Sequence, residues 1–190
     1  MHKKFLLIFL LFLSLSTTAA SGNSVEQFFD EFKTYNINTE NTGHVGELIA
    51  EQDLLKLYPK DKYEILIGIK YSQGSQTIGE LDATIIDRKT GQVIGVIEVK
   101  TNANPSRIYS KAKKQLERFV AMRLNNDIKI THQKKILDKK IFSGKFFTEV
   151  MGPSSATQHN SNYDRYLSVS HQELKSLLQK LALHKCSNPS

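Results

Sequence analysis

Asp82 and Glu98 stand sixteen residues apart in two apolar, β-like runs, GELD over 79–82 and GVIEVK over 95–100. Between them the chain turns at Arg88-Lys89-Thr90-Gly91. Alternate side chains of a strand share a face, so Ile94, Val96, Glu98 and Lys100 point one way and Gly95, Ile97 and Val99 the other. A hairpin centred near residue 90 puts Asp82 opposite Glu98, with Cβ atoms about 5 Å apart. Two carboxylates that close repel unless something compensates them. Three arrangements do so: a divalent cation, the Lys100 ammonium acting alone as an ion pair, or a shared proton. A cation such as Mg2+ or Mn2+ takes oxygen ligands, and Asp82, Glu98 and the Val99 carbonyl supply that donor type.

Two further features bear on that choice. Glu47, in the helical stretch HVGELIAEQ, is a carboxylate that can complete a metal site or hold metal-bound water, or is an exposed helix acid. Glu51 lies one turn on along the same face and reads as the exposed one. Downstream, NPSRIYSKAKKQLERFVAMRL is an amphipathic helix. Arg107, Lys111, Lys114 and Arg118 fall within an arc of roughly 60° at about 100° per residue. Ile108, Ala112, Leu116, Phe119 and Val120 form the apolar side, and Gln115 borders the two. A basic stripe beside two carboxylates suits a phosphodiester: cations for the backbone and a metal for the scissile phosphate. The same stripe is also what an ordinary solvated helix presents.

The elements that must position these groups follow from periodicity and punctuation. A capping box at Ser24-Val25-Glu26-Gln27 starts a short helix to about residue 35. A second helix is expected over 44–58, ended by Pro59. Strands are expected over 63–71, 78–87, 92–101, 146–151 and 166–170. Asn104 and Pro105 open the basic helix, to about residue 124. The lysine-rich stretch 126–141 has no clear period, and 152–162 reads as a loop. Ser170 and Glu173 cap a closing helix to about residue 184. The order α-α-β-β-β-α-β-β-α makes a mixed α/β layer around a central hairpin.

Composition bounds the rest. The first residues run from basic Met1-His2-Lys3-Lys4 through an apolar stretch over 5–15 to small residues. That is the layout of a secretory signal peptide over 1–20, cut near Ala19 or Ala20. One domain remains over 21–190, periplasmic or secreted, with no membrane contact in its mature form. The apolar stretch is too short to span a bilayer, which takes about 20 residues. The single cysteine, Cys186, excludes an intrachain disulfide. Net charge is +7, and residues 106–150 carry 12 Lys and Arg against 4 Asp and Glu. Such a bias suits a polyanion or an anionic membrane surface, or only keeps the protein soluble. No Ser or Thr sits in a nucleophile motif, the six histidines lack zinc-ligand spacing, and no Gly-Lys-Ser/Thr follows the SQGSQ loop.

GELD followed by IEVK, with helical Glu47 upstream and Gln115 downstream, resembles the PD-(D/E)XK nuclease superfamily. The layout over residues 43–120 is similar to its branches with Holliday-junction-resolvase-like nuclease cores. Leu81 stands where the motif name has proline, and Phe119 stands where one subgroup has tyrosine. The resemblance implies a restriction-endonuclease-like α/β core, a mixed sheet of about 4–5 strands flanked by helices. It implies Asp82 and Glu98 as ligands of Mg2+ or Mn2+ and Lys100 beside the attacking hydroxide. Glu47 would support the metal and Gln115 would be an accessory polar residue. The expected activity is an exported nuclease, acting on DNA more than RNA. The rival is an exported basic protein that binds nucleic acid through 107–118 and 134–145 without cutting it.

Overall fold

Turn chemistry builds the centre of the fold. The Asp87 side chain accepts hydrogen bonds from the Lys89 and Thr90 amides at 2.7 and 3.3 Å, and Gly91 adopts φ +65°. This closes β2 (Gln76–Asp87) onto β3 (Gln92–Val99). The preceding strand β1 (Tyr63–Gln73) pairs antiparallel with β2 and turns through Gly74 at φ +57°. The computed structural model describes residues 22–35, 37–39, 41–102, 105–154 and 163–187. The expected leader with its Ala19–Ala20 cleavage point, the Asn104 cap and most of the loop expected over 152–162 lie outside them.

Around this hairpin the chain is α/β. Helices α1 (Gly22–Phe32) and α2 (Thr42–Leu57) precede β1, and α3 (Pro105–Met122) follows β3. Then come β4 (Ile128–His132), β5 (Lys135–Ile136), a 3-10 turn (Lys139–Phe142), β6 (Phe147–Ser154), β7 (Arg165–Ser170) and α4 (His171–Ser187). They form one mixed seven-stranded sheet in the order β5-β4-β1-β2-β3-β6-β7. The pairs β3–β6 and β6–β7 are parallel and the others antiparallel. Among the described residues no helix is long and apolar enough to cross a membrane.

The sheet is larger than the expected 4–5 strands. The additions, β4 and β5, come from the lysine-rich stretch that showed no period. Their hairpin turns at Gln133 and Lys134, both left-handed at φ 48° and 68°. Neither is glycine, so the usual turn signal is missing. β6 also runs on through Gly152, Pro153 and Ser154. Pro153 lies past the end of the β3 pairing, where its missing N–H breaks no bond to that strand.

The two faces of the sheet bury separate cores. On one, α1, α2 and α4 cover Ile85, Ile97, Val99, Met151 and Val169. On the other, α3 and the 3-10 turn cover Val93, Val96, Ile130 and Val150 through Leu116, Phe119 and Phe142. Phe119 packs against Tyr71 and Phe142 with ring centroids 5.2 and 5.4 Å away. Truncating so buried a ring typically costs about 3–5 kcal/mol.

One facing expectation is corrected here. A bulge pairs Ile85 with Gly95 and Ile86 with Val93, skipping Ile94. Ile94 therefore packs with Ile97 and Val99, and Val93 joins Val96 on the α3 side. Past the bulge the expected register holds: Ala83 pairs Ile97, so the next residues, Asp82 and Glu98, are opposed.

Candidate active site

Three elements meet at the end of β3. The Asn41 side chain caps α2 by accepting from the Gly43 and His44 amides at 3.0 and 3.4 Å. Buried Asp53 then ties that helix to β7 by accepting from the Ser168 amide at 2.7 Å. Gly46 lets α2 press onto the strand end. A Cβ there would lie 2.2 Å from the Thr101 methyl, so only glycine fits without a shift. The next residue, Glu47, lines the same cavity as Asp82 in the middle of β2 and Glu98 near the end of β3.

A cavity of about 560 Å³ opens at this junction, lined by Asn38, Asn41, His44, Glu47, Glu80, Asp82, Glu98, Lys100 and Gln115. Every residue expected to act in catalysis, Asp82, Glu98, Lys100, Glu47 and Gln115, lines it. Gly68, left-handed at φ +72°, falls between the paired residues Ile67 and Ile69, opposite Asp82.

The Lys100 ammonium sits where the expected cation donors converge. It lies 2.5 Å from Glu98 Oε1, 3.1 Å from the Val99 carbonyl and 3.5 Å from Asp82 Oδ2. The ion pair with Lys100, one of the three ways to reconcile the two carboxylates, is formed. Asp82 Oδ2 also accepts from the Val99 amide at 2.7 Å. Glu98 is almost wholly buried, with 2% of its side chain exposed, and its Oε2 has no hydrogen-bond partner among the described residues. Among those residues no three His, Cys, Asp or Glu side chains form a ready cation cage. The donors do suit a hard divalent ion: two carboxylates and a carbonyl share one focus, and Glu98 Oε2 has unspent lone pairs.

The charge balance is lopsided. Glu47, Asp82 and Glu98 face one ammonium across the cavity, while Glu80, exposed at its rim, pairs with Lys70 at 3.7 Å. Burial pushes the Glu47 carboxyl up to about 7, helped by Asp82 and Glu80 and opposed by Lys100. Burial, then the charge of Asp82, raises Glu98 against the pull of Lys100. Burial also raises Asp82, opposed by Lys100 and the Val99 amide. For Lys100, burial works against the charged form, but Asp82 and Glu98 more than offset it and its pKa rises. A site with more buried carboxylate than it can neutralise favours added positive charge.

The basic stripe lies elsewhere. Arg107, Lys111, Lys114 and Arg118 are exposed on α3, and none lines the cavity. They flank it through Gln115, which is half-buried at its wall. Lys113, on the opposite flank of the same helix, pairs with Asp164 at 2.7 Å. The sequence reading missed Glu80, His44, Asn38 and Asn41. Two had a usable signal: Glu80 shares the Asp82 face by alternation, and His44 precedes Glu47 by one helical turn.

Comparison with known proteins found no matching family model, no matching curated protein and no matching solved structure.

Proposed function

We propose that this chain is an exported, metal-dependent nuclease with a PD-(D/E)XK-type, restriction-endonuclease-like core over residues 43–120. One observation carries the reading: Asp82 Oδ2, Glu98 Oε1 and the Val99 carbonyl share a focus, with an unpartnered Glu98 oxygen beside it. Mg2+ or Mn2+ held by these donors would supply charge neutralisation at a phosphodiester and a more acidic bound water.

The chain's own residues do the remaining work. The Lys100 ammonium, released from the donors it now bridges, offsets the negative charge that builds on the nucleophile and phosphate. Glu47, which lines the same cavity, would support the metal site. Gln115 hydrogen-bonds substrate at the rim. Arg107, Lys111, Lys114 and Arg118 bind the flanking backbone without reading bases. DNA is the preferred substrate over RNA, and the leader over 1–20 delivers the protein outside the cytoplasm.

A second reading has its own support, because Lys100 already compensates Asp82 and Glu98. In that reading the acids are structural and the protein binds nucleic acid through 107–118 and 134–145 without cutting. An assay of residues 21–190 on circular and linear, single- and double-stranded DNA and RNA decides between them. The nuclease degrades nucleic acid with Mg2+ or Mn2+, stops with EDTA, and is silenced by Asp82→Ala in a folded protein. Retarded DNA that stays intact with either metal establishes binding alone.

A further inference from the structure

Two tyrosines lie beside the site and have no part in the account so far. The parallel pairing of β3 with β6 matches Glu98 with Val150 and Val99 with Met151, and the Lys100 amide donates to the Met151 carbonyl at 2.8 Å. The next residue of β6, Gly152, pairs with Tyr166 of β7. Val150 and Met151 belong to opposite cores, so Gly152 shares the α3 side with Val150. Lys100, Gly152 and Tyr166 thus form a row across three strands. At about 4.8 Å per strand, Lys100 and Tyr166 are roughly 10 Å apart along it.

The ring of Tyr163 fills the middle of that row. A Cβ on Gly152 would lie 2.5 Å from this ring, so the glycine is the seat on which it rests. The neighbouring residue clamps it. Asp164 accepts from Tyr109 Oη at 2.9 Å and from the Val150 amide at 2.7 Å, and pairs with Lys113 at 2.7 Å. So anchored, the Tyr163 ring is fixed, with its hydroxyl buried. Tyr166 meets Tyr163 edge-on, with ring centroids 6.3 Å apart at 84°, and is 37% exposed.

We propose that Tyr163 and Tyr166 form a nucleotide-binding corner, in which an unpaired nucleobase stacks on the exposed face of Tyr166 and the seated ring of Tyr163 holds Tyr166 in place edge-on. The proposal rests on the nuclease reading and narrows its substrate to strands with an unpaired base next to the cleaved phosphate. An aromatic face accepts any base, which gives affinity for single strands without sequence preference. Bases inside a continuous duplex cannot reach such a face without leaving their stack.

The test measures binding by residues 21–190 in EDTA. The probes are a short single-stranded oligodeoxynucleotide carrying a fluorescent adenine analogue and its fully paired duplex. Quenching of the unpaired analogue is expected. Tyr166→Ala lowers single-strand affinity about tenfold and leaves duplex affinity unchanged, while Tyr166→Phe binds like wild type. Tyr163→Ala, which removes the ring that holds Tyr166, weakens single-strand binding about fivefold. Unchanged single-strand affinity in Tyr166→Ala, or equal loss on duplex, overturns the proposal. Metal-dependent cleavage by the wild type then leaves the nuclease reading standing. A wild type that binds neither probe and cuts no nucleic acid removes both.

Discussion

The two sides of the sheet differ in what they carry. The side of α1, α2 and α4 is a mixed-charge layer whose polar groups serve the fold. Asp53 holds β7, Arg165 forms a two-bond pair with Glu149, and Ser170 and Glu173 cap α4 reciprocally. The α3 side is different: its helix bears Arg107, Lys111, Lys113, Lys114 and Arg118 against the single acid Glu117. Only Lys113 of those cations has a carboxylate partner among the described residues. The cavity sits on the seam, taking Glu47 and His44 from one layer and Gln115 from the other. Carboxylates gather where a cation would be held, and free cations gather where a long polyanion would lie.

Substitutions on either side can break or sharpen that contrast. The largest effect is expected from Asp82→Ala, which removes nucleic-acid cleavage to background in a gel assay while the protein remains folded by circular dichroism. Lys100→Ala follows, lowering kcat about 10²–10³-fold, the usual scale for losing a group that stabilises developing charge. Next comes reversal of the stripe. Lys111→Glu with Lys114→Glu should weaken binding uniformly across sequences and flatten the salt dependence by about one unit of slope per lost phosphate contact. The matching change on the other side, Lys175→Glu on exposed α4, should leave both quantities unchanged.

Smaller effects test the seam. Gly46→Ala forces a methyl against Thr101, so α2 must move and carry Glu47 with it. Overpacking of this kind destabilises by about 1–3 kcal/mol, read as a lower Tm, and cleavage falls too. The smallest concerns pH. Glu47 is raised from 4.5 to about 7, so the folded protein holds its proton more tightly than the unfolded chain does. Its contribution is fully present below pH 4.5 and is lost as pH rises to about 7. Across that window wild type should lose stability relative to Glu47→Gln. A constant difference in Tm would show that Glu47 is not buried among acids.

Much of this was legible because hairpin chemistry is local. Asp87 and Gly91 specify the turn, the turn sets the register, and the register opposes Asp82 to Glu98. The bulge at Ile94 escaped, since an isoleucine is apolar on whichever face it falls. The basic stripe could be drawn from helical angles, but not its separation from the cavity, which depends on how α3 seats Leu116 and Phe119. β4 and β5 were hidden by lysines at a sheet edge and by a turn without glycine. The Tyr163 seat was invisible, because it joins Gly152 to a residue beyond a loop and needs the β3–β6–β7 alignment. That Lys100 itself fills the carboxylate focus could be named as an option, but not chosen, from alternation alone.

Calorimetric titration of Mn2+ into wild type, Asp82→Ala and Lys100→Ala, without nucleic acid, tests the cation focus most directly. The account predicts binding to wild type, none to Asp82→Ala, and tighter binding to Lys100→Ala, where the competing ammonium is gone. Heat of binding that is absent from wild type and Lys100→Ala, or undiminished in Asp82→Ala, would contradict it.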